Sequence, residues 1–256
     1  RPWDLKFFIH YRKIIPESRN ETNLEVQPPS DILYLMIKNE IITGNEFYHV
    51  YNRGVDKREI FDDQYDIDRF YQSMVEFNSV EPIGSIFENS FRKESPKQAR
   101  LQTKERLVEF IAYCLNPNHY HFILEQLVDN GISIFMQRLG GYTMYFNEKN
   151  KRSGSLFQGR YKAKHIASND YLLHLSAYVS LNNEVHQLGG STSKFDIKSS
   201  WNEYIDPKNN ENFCKKNIIL DQFKSAGEYK IFVKEALSLI QEKKRDDKDL
   251  TSLIFD

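Results

Sequence analysis

The chain has 256 residues, of which 40% are hydrophobic and 28% charged, enough for one sizeable core with appendages or for two small domains. Lys+Arg 35 against Asp+Glu 36 gives a net charge of −1, which excludes a globally basic polyanion binder and leaves only a local patch to be sought. Two cysteines, Cys114 and Cys214, form neither a CxxC pair nor a disulfide framework, and the longest apolar runs are about a strand long. The expectation is therefore a reduced, cytoplasmic protein that does not cross a membrane.

Residues 1–45 read as an extension: an aromatic, basic stretch, then Pro28-Pro29, then a short helical pattern over Asp31–Ile42. Glu46–Asn52 alternates like a strand and runs into the turn signal Arg53-Gly54. Ile67, Phe70, Tyr71, Met74 and Phe77 predict a helix over Asp66–Asn78, and Ser79–Arg106 is polar and loop-like. Leu107–Cys114 and His119–Leu127 form a hairpin pattern around Leu115-Asn116-Pro117-Asn118. Gly131–Phe146 predicts an amphipathic helix weakened by Gly140-Gly141, Asn147–Gly159 a loop, and Arg160–Ala167 a strand. Asn169 or Asp170 is placed to cap a helix reaching Asn182. This order suggests a ferredoxin-like α+β sandwich over residues 46–190 with one extra helix against the sheet. Residues 191–256 form a C-terminal helical extension that includes Tyr229–Lys243, which either packs back or contacts a ligand.

One segment departs from the charge balance. Between Gly131 and His165 seven cations face a single anion, Glu148, with Tyr142, Tyr145, Phe146, Phe157 and Tyr161 interleaved. Such a composition suits phosphate neutralisation and base stacking, and it equally suits a solvated basic face over a core. On the first reading Arg138, Arg152, Arg160, Lys162 and Lys164 meet the phosphate backbone while Tyr161 or Phe157 stacks. Asn52 and Arg53 either reach base edges or only make a turn.

His119 and His121 stand at i and i+2, so on a strand both imidazoles leave the same face. The pair suits a shared metal, or two histidines with satisfied hydrogen bonds, and spacing alone leaves both open. No CxxC or HExxH completes a protein-only cage. On the later helix His174, Tyr178 and Asn182 recur every four residues and share a face, with packing as the alternative role.

Asn52-Arg53-Gly54, Pro117-Asn118-His119-Tyr120-His121, Tyr145-Phe146-Asn147, the run SGSLFQGRY and Tyr178-Val179-Ser180-Leu181-Asn182 follow one another in an order that resembles the IS200-like single-tyrosine HUH transposases, most of all the REP-associated tyrosine transposase branch. The resemblance spans roughly residues 45–190. It implies a ferredoxin-like HUH endonuclease domain with His119 and His121 as paired metal ligands, Tyr178 as nucleophile and Asn182 as third ligand. Asn116 before Pro117, Asn183-Glu184 after Asn182, and the long Ser79–Arg106 insertion depart from the family pattern.

By resemblance the activity is cleavage and rejoining of single-stranded DNA beside hairpin-forming palindromes, through a 5′-phosphotyrosine and a free 3′-OH. The implied cofactor is Mg²⁺ or Mn²⁺, because phosphate and water oxygens complete the coordination, although an imidazole pair also suits Zn²⁺. The implied setting is a bacterial cytoplasm, associated with the nucleoid, as monomer or homodimer. Two other classes are considered: a non-catalytic hairpin-DNA-binding regulator derived from such an enzyme, and a zinc hydrolase, which the absence of a carboxylate near the HxH pair disfavours.

Overall fold

The computed structural model describes residues 44, 46–82, 84, 86, 105–185, 195–206 and 213–246, with side chains up to residue 242. The Asp31–Ile42 helix, most of the Ser79–Arg106 insertion and the boundary near residue 190 lie outside the described residues. In chain order come β1 (Phe47–Arg53), a 3₁₀ turn (Val55–Lys57), α1 (Gln64–Glu76), β2 (Val108–Asn116), β3 (His119–Gln126), α2 (Gly131–Leu139), α3 (Tyr142–Lys149), β4 (Lys162–His165) and α4 (Asn169–Ser180). They are followed by α5 (Asn182–Val185), β5 (Lys198–Ser199), α6 (Trp201–Ile205), α7 (Asn217–Leu220) and α8 (Ala226–Asp246).

The strands form one antiparallel sheet in the order β4-β1-β3-β2-β5. The first four positions are those of a ferredoxin-like split βαβ sandwich, as the element order suggests, and β5 adds a short fifth strand beside β2. Strand alternation divides the interior in two. Tyr120, Phe122 and Leu124 of β3 enter a core with Phe70 of α1, Phe135 of α2 and Tyr142 of α3. Ile123 faces the other way, into a core with Leu172, Leu175 and Val179 of α4 and Tyr229 and Val233 of α8. The extra helix thus packs on the face that α1–α3 leave open, and the C-terminal helix closes over it.

Local chemistry accounts for where these elements end. Asp63 caps α1, its side chain accepting from the Asp66 N–H at 3.0 Å. The cap of α4 is Ser168, accepting from the Tyr171 N–H at 3.2 Å, not Asn169 or Asp170; both belong to the first turn, where Asp170 meets the positive end of the helix dipole. The single helix expected over Gly131–Phe146 is two helices, broken at Gly140-Gly141 where helix propensity is lowest. The hairpin turn is tighter than expected: β2 continues to Asn116, only Pro117-Asn118 turn, and Asn116 pairs with His119.

The loop after β1 is anchored on that hairpin, with the Gly54 N–H donating to Asn118 O at 2.8 Å and the Val55 N–H to Leu156 O at 3.0 Å. A Cβ on Gly54 would lie 2.1 Å from the Arg58 carbonyl oxygen, so only glycine fits unless backbone moves. Gly54→Ala is expected to cost about 1–3 kcal/mol of stability, as overpacking does, read as a lower urea midpoint at unchanged slope.

Candidate functional site

His119 and His121 leave β3 on the face that α4 covers, and the hairpin register puts Asn116 beside His119 and Cys114 beside His121. Tyr178 lies near the end of α4, its ring edge-on to His121 with centroids 5.7 Å apart. The helix breaks at Leu181, and Asn182 begins α5, directing its carboxamide back to the hairpin: Asn182 Oδ1 is 2.9 Å from His119 Nε2. The four residues that the resemblance singled out therefore share one site. The helical stripe breaks before its last member, and His174 packs against Phe232 of α8 with centroids 5.2 Å apart.

Hydrogen bonds determine which atoms face inward. Asn118 donates Nδ2–H to Lys57 O at 3.1 Å, so its Oδ1 accepts from His119 Nδ1 at 2.6 Å. The His119 hydrogen is thus on Nδ1 and its lone pair on Nε2. Asn116 donates both amide hydrogens inward, to His119 Nε2 at 3.0 Å and to Asn182 Oδ1 at 2.7 Å. Its own Oδ1 accepts from the Cys114 thiol at 3.6 Å; burial pushes that thiol up to about 12, so it stays a neutral donor. Without the Asn116 amide two lone pairs would confront each other across 2.9 Å.

On the other side His121 Nδ1 meets His49 Nε2 of β1 at 2.9 Å, and Tyr51 stacks beside both rings. Burial, helped by the Lys164 charge, holds His49 down at about 3, so it is neutral at physiological pH. His121 and Asn182 are fully buried and Tyr178 is 8% exposed, so the site is nearly closed, yet polar groups line it. Burial raises the Tyr178 phenol above its ordinary value, and the Asn182 side chain only partly opposes the shift. Among the described residues neither the hydroxyl nor Asn182 Nδ2 has a partner within full hydrogen-bond geometry.

The basic segment divides. Lys162 and Lys164 of the edge strand β4 pair with Tyr51 and His49, lie on the site face and are exposed; Lys162 Nζ sits 6.0 Å over the Tyr51 ring. Arg160 is exposed over Tyr161, whose hydroxyl contacts Ser133 Oγ at 3.2 Å. Arg138 instead binds the carbonyls of Phe77, Ser79 and Val80 after α1, and Arg152 binds Asn147 Oδ1 and Ser155 O within its own loop. Lys149 pairs with Asp63 and Asp66. Phe157 and Phe146 are core residues, so Phe157 is not a stacking platform. Arg53 contacts Gln158, while Asn52, opposite Tyr120 in register, donates to Gly159 O at 3.2 Å. Both tie the first-strand loop to the SGSLFQGRY segment.

Sequence reasoning missed His49 and Tyr51, although their spacing puts both on one face of β1, and it took Asn116 only as a departure from a pattern. Among the described residues no three His, Cys, Asp or Glu side chains converge, so a cation here needs the amide as its third donor. The donors fit a divalent ion without choosing which: His119 Nε2 and Asn182 Oδ1 stand 2.9 Å apart, about the separation of adjacent ligands at right angles around one cation, and two imidazole nitrogens with one amide oxygen suit Zn²⁺ as well as Mg²⁺ or Mn²⁺. No helix among the described residues is long and apolar enough to cross a membrane.

Residues 84–182 match the family model described as Transposase IS200 like, a span that contains His119, His121, Tyr178 and Asn182 and stops short of Asn52 and Arg53. The match bears out the resemblance over that span. The structure of a REP-associated tyrosine transposase bound to a REP hairpin aligns with a TM-score of 0.43 and 13% identity, over 66% of this chain and 83% of that one. No curated protein matches the chain.

The His49 shift makes a stability prediction. Unfolded, the ring takes a proton below 6.5; folded, only near 3. Between those values the unfolded state binds more protons, so stability is full above pH 6.5 and falls as pH falls toward 3. Urea titrations between pH 6.5 and 4.5 are expected to show the wild type losing up to about 1.4 kcal/mol per pH unit more than His49→Gln.

Proposed function

Taking residues 84–182 as an IS200-like transposase segment, we propose that the protein is a divalent-metal-dependent endonuclease and strand transferase. Its substrate is single-stranded DNA beside a hairpin-forming palindrome, and its working unit spans residues 46–190 with α8 packed against it. The observation that carries this reading is the convergence of His119 and His121 of β3, Tyr178 of α4 and Asn182 of α5 around one buried polar point.

In this reading Tyr178 Oη attacks the scissile phosphorus. A P–O(Tyr) bond forms, the P–O3′ bond breaks, and the 3′ oxygen leaves and takes up a proton as the 3′-OH. The phenol is neutral before reaction, since burial raises its pKa, so its proton departs as the new bond forms, and in the net balance it is the proton that the 3′ oxygen takes up. A Mg²⁺ or Mn²⁺ held by His119 Nε2, His121 Nε2 and Asn182 Oδ1 would polarise the phosphate and stabilise charge in the transition state. The three donors are neutral and leave that charge undiminished. The phosphotyrosine stores the diester energy, so attack by another 3′-OH rejoins the strand without ATP. Lys162 and Lys164, with Arg160 farther along the same segment, are placed to hold the incoming backbone, and Tyr161 to meet a base.

A second reading, a hairpin-binding regulator that does not cut, is favoured by one observation: the Asn116 amide occupies the position between His119 and Asn182 while Tyr178 is nearly closed off. The two separate on incubation with Mn²⁺ and single-stranded hairpin-flank DNA. The endonuclease forms an adduct that survives denaturing electrophoresis and that Tyr178→Phe reduces to background. An adduct of unchanged yield in Tyr178→Phe overturns the nucleophile assignment, and hairpin affinity with no adduct in the wild type establishes the regulator.

Lys162 and Lys164 carry a further expectation. Replacing both with Gln is expected to weaken DNA binding and lower the slope of log affinity against log salt by about 1.4, the single-strand increment for two phosphate contacts. Arg138→Gln is expected to leave that slope unchanged and to lower stability, because its guanidinium binds carbonyls of the fold.

A further inference from the structure

We infer that His49 is a positioning residue for His121: it accepts the His121 Nδ1 hydrogen and thereby turns the Nε2 lone pair toward His119 and Tyr178. The inference rests on the reading of His121 as a metal ligand and adds to it a residue that lies outside the family-matched span.

The contact has the geometry of a directed hydrogen bond. His49 Nε2 and His121 Nδ1 are 2.9 Å apart, and the ring planes differ by only 19° with centroids 5.1 Å apart, so the nitrogens meet nearly in both planes, where the N–H and the lone pair point. Two neutral imidazoles meeting this way share one hydrogen, and the choice of donor sets the tautomer of both rings. If His49 donated, the His121 hydrogen would sit on Nε2 and block the inward lone pair. If His121 donates, Nε2 is ready to ligate. The partner histidine follows the second pattern independently: His119 gives its Nδ1 hydrogen to Asn118 Oδ1 and directs Nε2 at Asn182 Oδ1. A metal-ligating histidine generally donates its other N–H to a fixed acceptor in this manner.

The surroundings hold His49 in place for the task. It is buried on β1, one strand over from β3, and its ring stacks on Tyr51 at 4.8 Å between centroids. Tyr51 in turn lies against the His121 ring at 5.6 Å, and Lys162 sits above Tyr51. A swing of the His121 ring away from its acceptor would also break its stacking contact with Tyr51. Backbone pairing of β1 with β3 thus fixes the acceptor, and through it the direction of the ligand lone pair.

Two measurements on the full chain test this. Long-range ¹H–¹⁵N NMR of the metal-free wild type at neutral pH is expected to show His121 as the Nδ1–H tautomer; a dominant Nε2–H tautomer overturns the inference. Mn²⁺ titration followed by EPR is expected to give a dissociation constant about 10–100-fold higher in His49→Phe, which keeps an aromatic against Tyr51 but offers no acceptor. His49→Gln, whose Oε1 can accept the same hydrogen, is expected to recover most of that loss. Wild-type affinity in His49→Phe, or a folded His49→Gln no better than His49→Phe, overturns the inference. If His49→Phe does not fold, the tautomer and the His49→Gln titration decide. Mn²⁺ binding unchanged in His121→Ala would instead remove the ligand reading, while the wild-type tautomer would still judge His49 by itself.

Discussion

Two imidazoles and a carboxamide are buried between a sheet and a helix, and such burial is tolerable only where each lone pair and each N–H meets a matching group. Asn116 satisfies most of that requirement. By donating to His119 Nε2 and Asn182 Oδ1 together it links the first residue of β3 to the first residue of α5. Elements 63 residues apart in sequence are held at 2.9 Å by a side chain whose own orientation is set by the Cys114 thiol. The tight Pro117-Asn118 turn matters for the same reason: a looser turn would take Asn116 out of register with His119.

The sheet keeps structural and chemical roles on separate faces. Odd positions of β1 and β3 carry His49, Tyr51, His119 and His121 toward α4, while the intervening Tyr48, Val50, Tyr120 and Phe122 build the core under α1–α3. On the site face α4 is secured independently of the histidines, through Ser180 Oγ on Ser200 Oγ at 3.0 Å and the packing of Tyr229 and Val233. The C-terminal helix thus contributes to the shape of the site while supplying none of the four converging residues.

Charge is distributed by the same division. The basic segment stands out in the sequence, yet its cations have different duties once folded. Lys149 offsets the buried Asp66, Arg138 satisfies carbonyls released at the end of α1, and Arg152 fastens its own loop. Lys162 and Lys164 are different because β4 is an edge strand whose alternate residues face the site and solvent.

What the sequence by itself determined was local: strand alternation placing His119 and His121 on one face, the hairpin around Pro117, the helix periods of α1 and α4, and a motif order that resembles the IS200-like transposases, matched by a family model over residues 84–182. These are legible because periods of 2 and 3.6 residues and turn chemistry act over a few residues. Tertiary structure alone decided that Asn182 folds back across the break at Leu181, that Asn116 bridges His119 Nε2 and Asn182 Oδ1, that His49 meets His121, and that Arg138, Arg152 and Phe157 serve the fold. Each of those depends on register between strands or on contacts across the sheet. A hydrogen bond spanning 63 or 72 residues leaves no periodic trace in the chain that makes it.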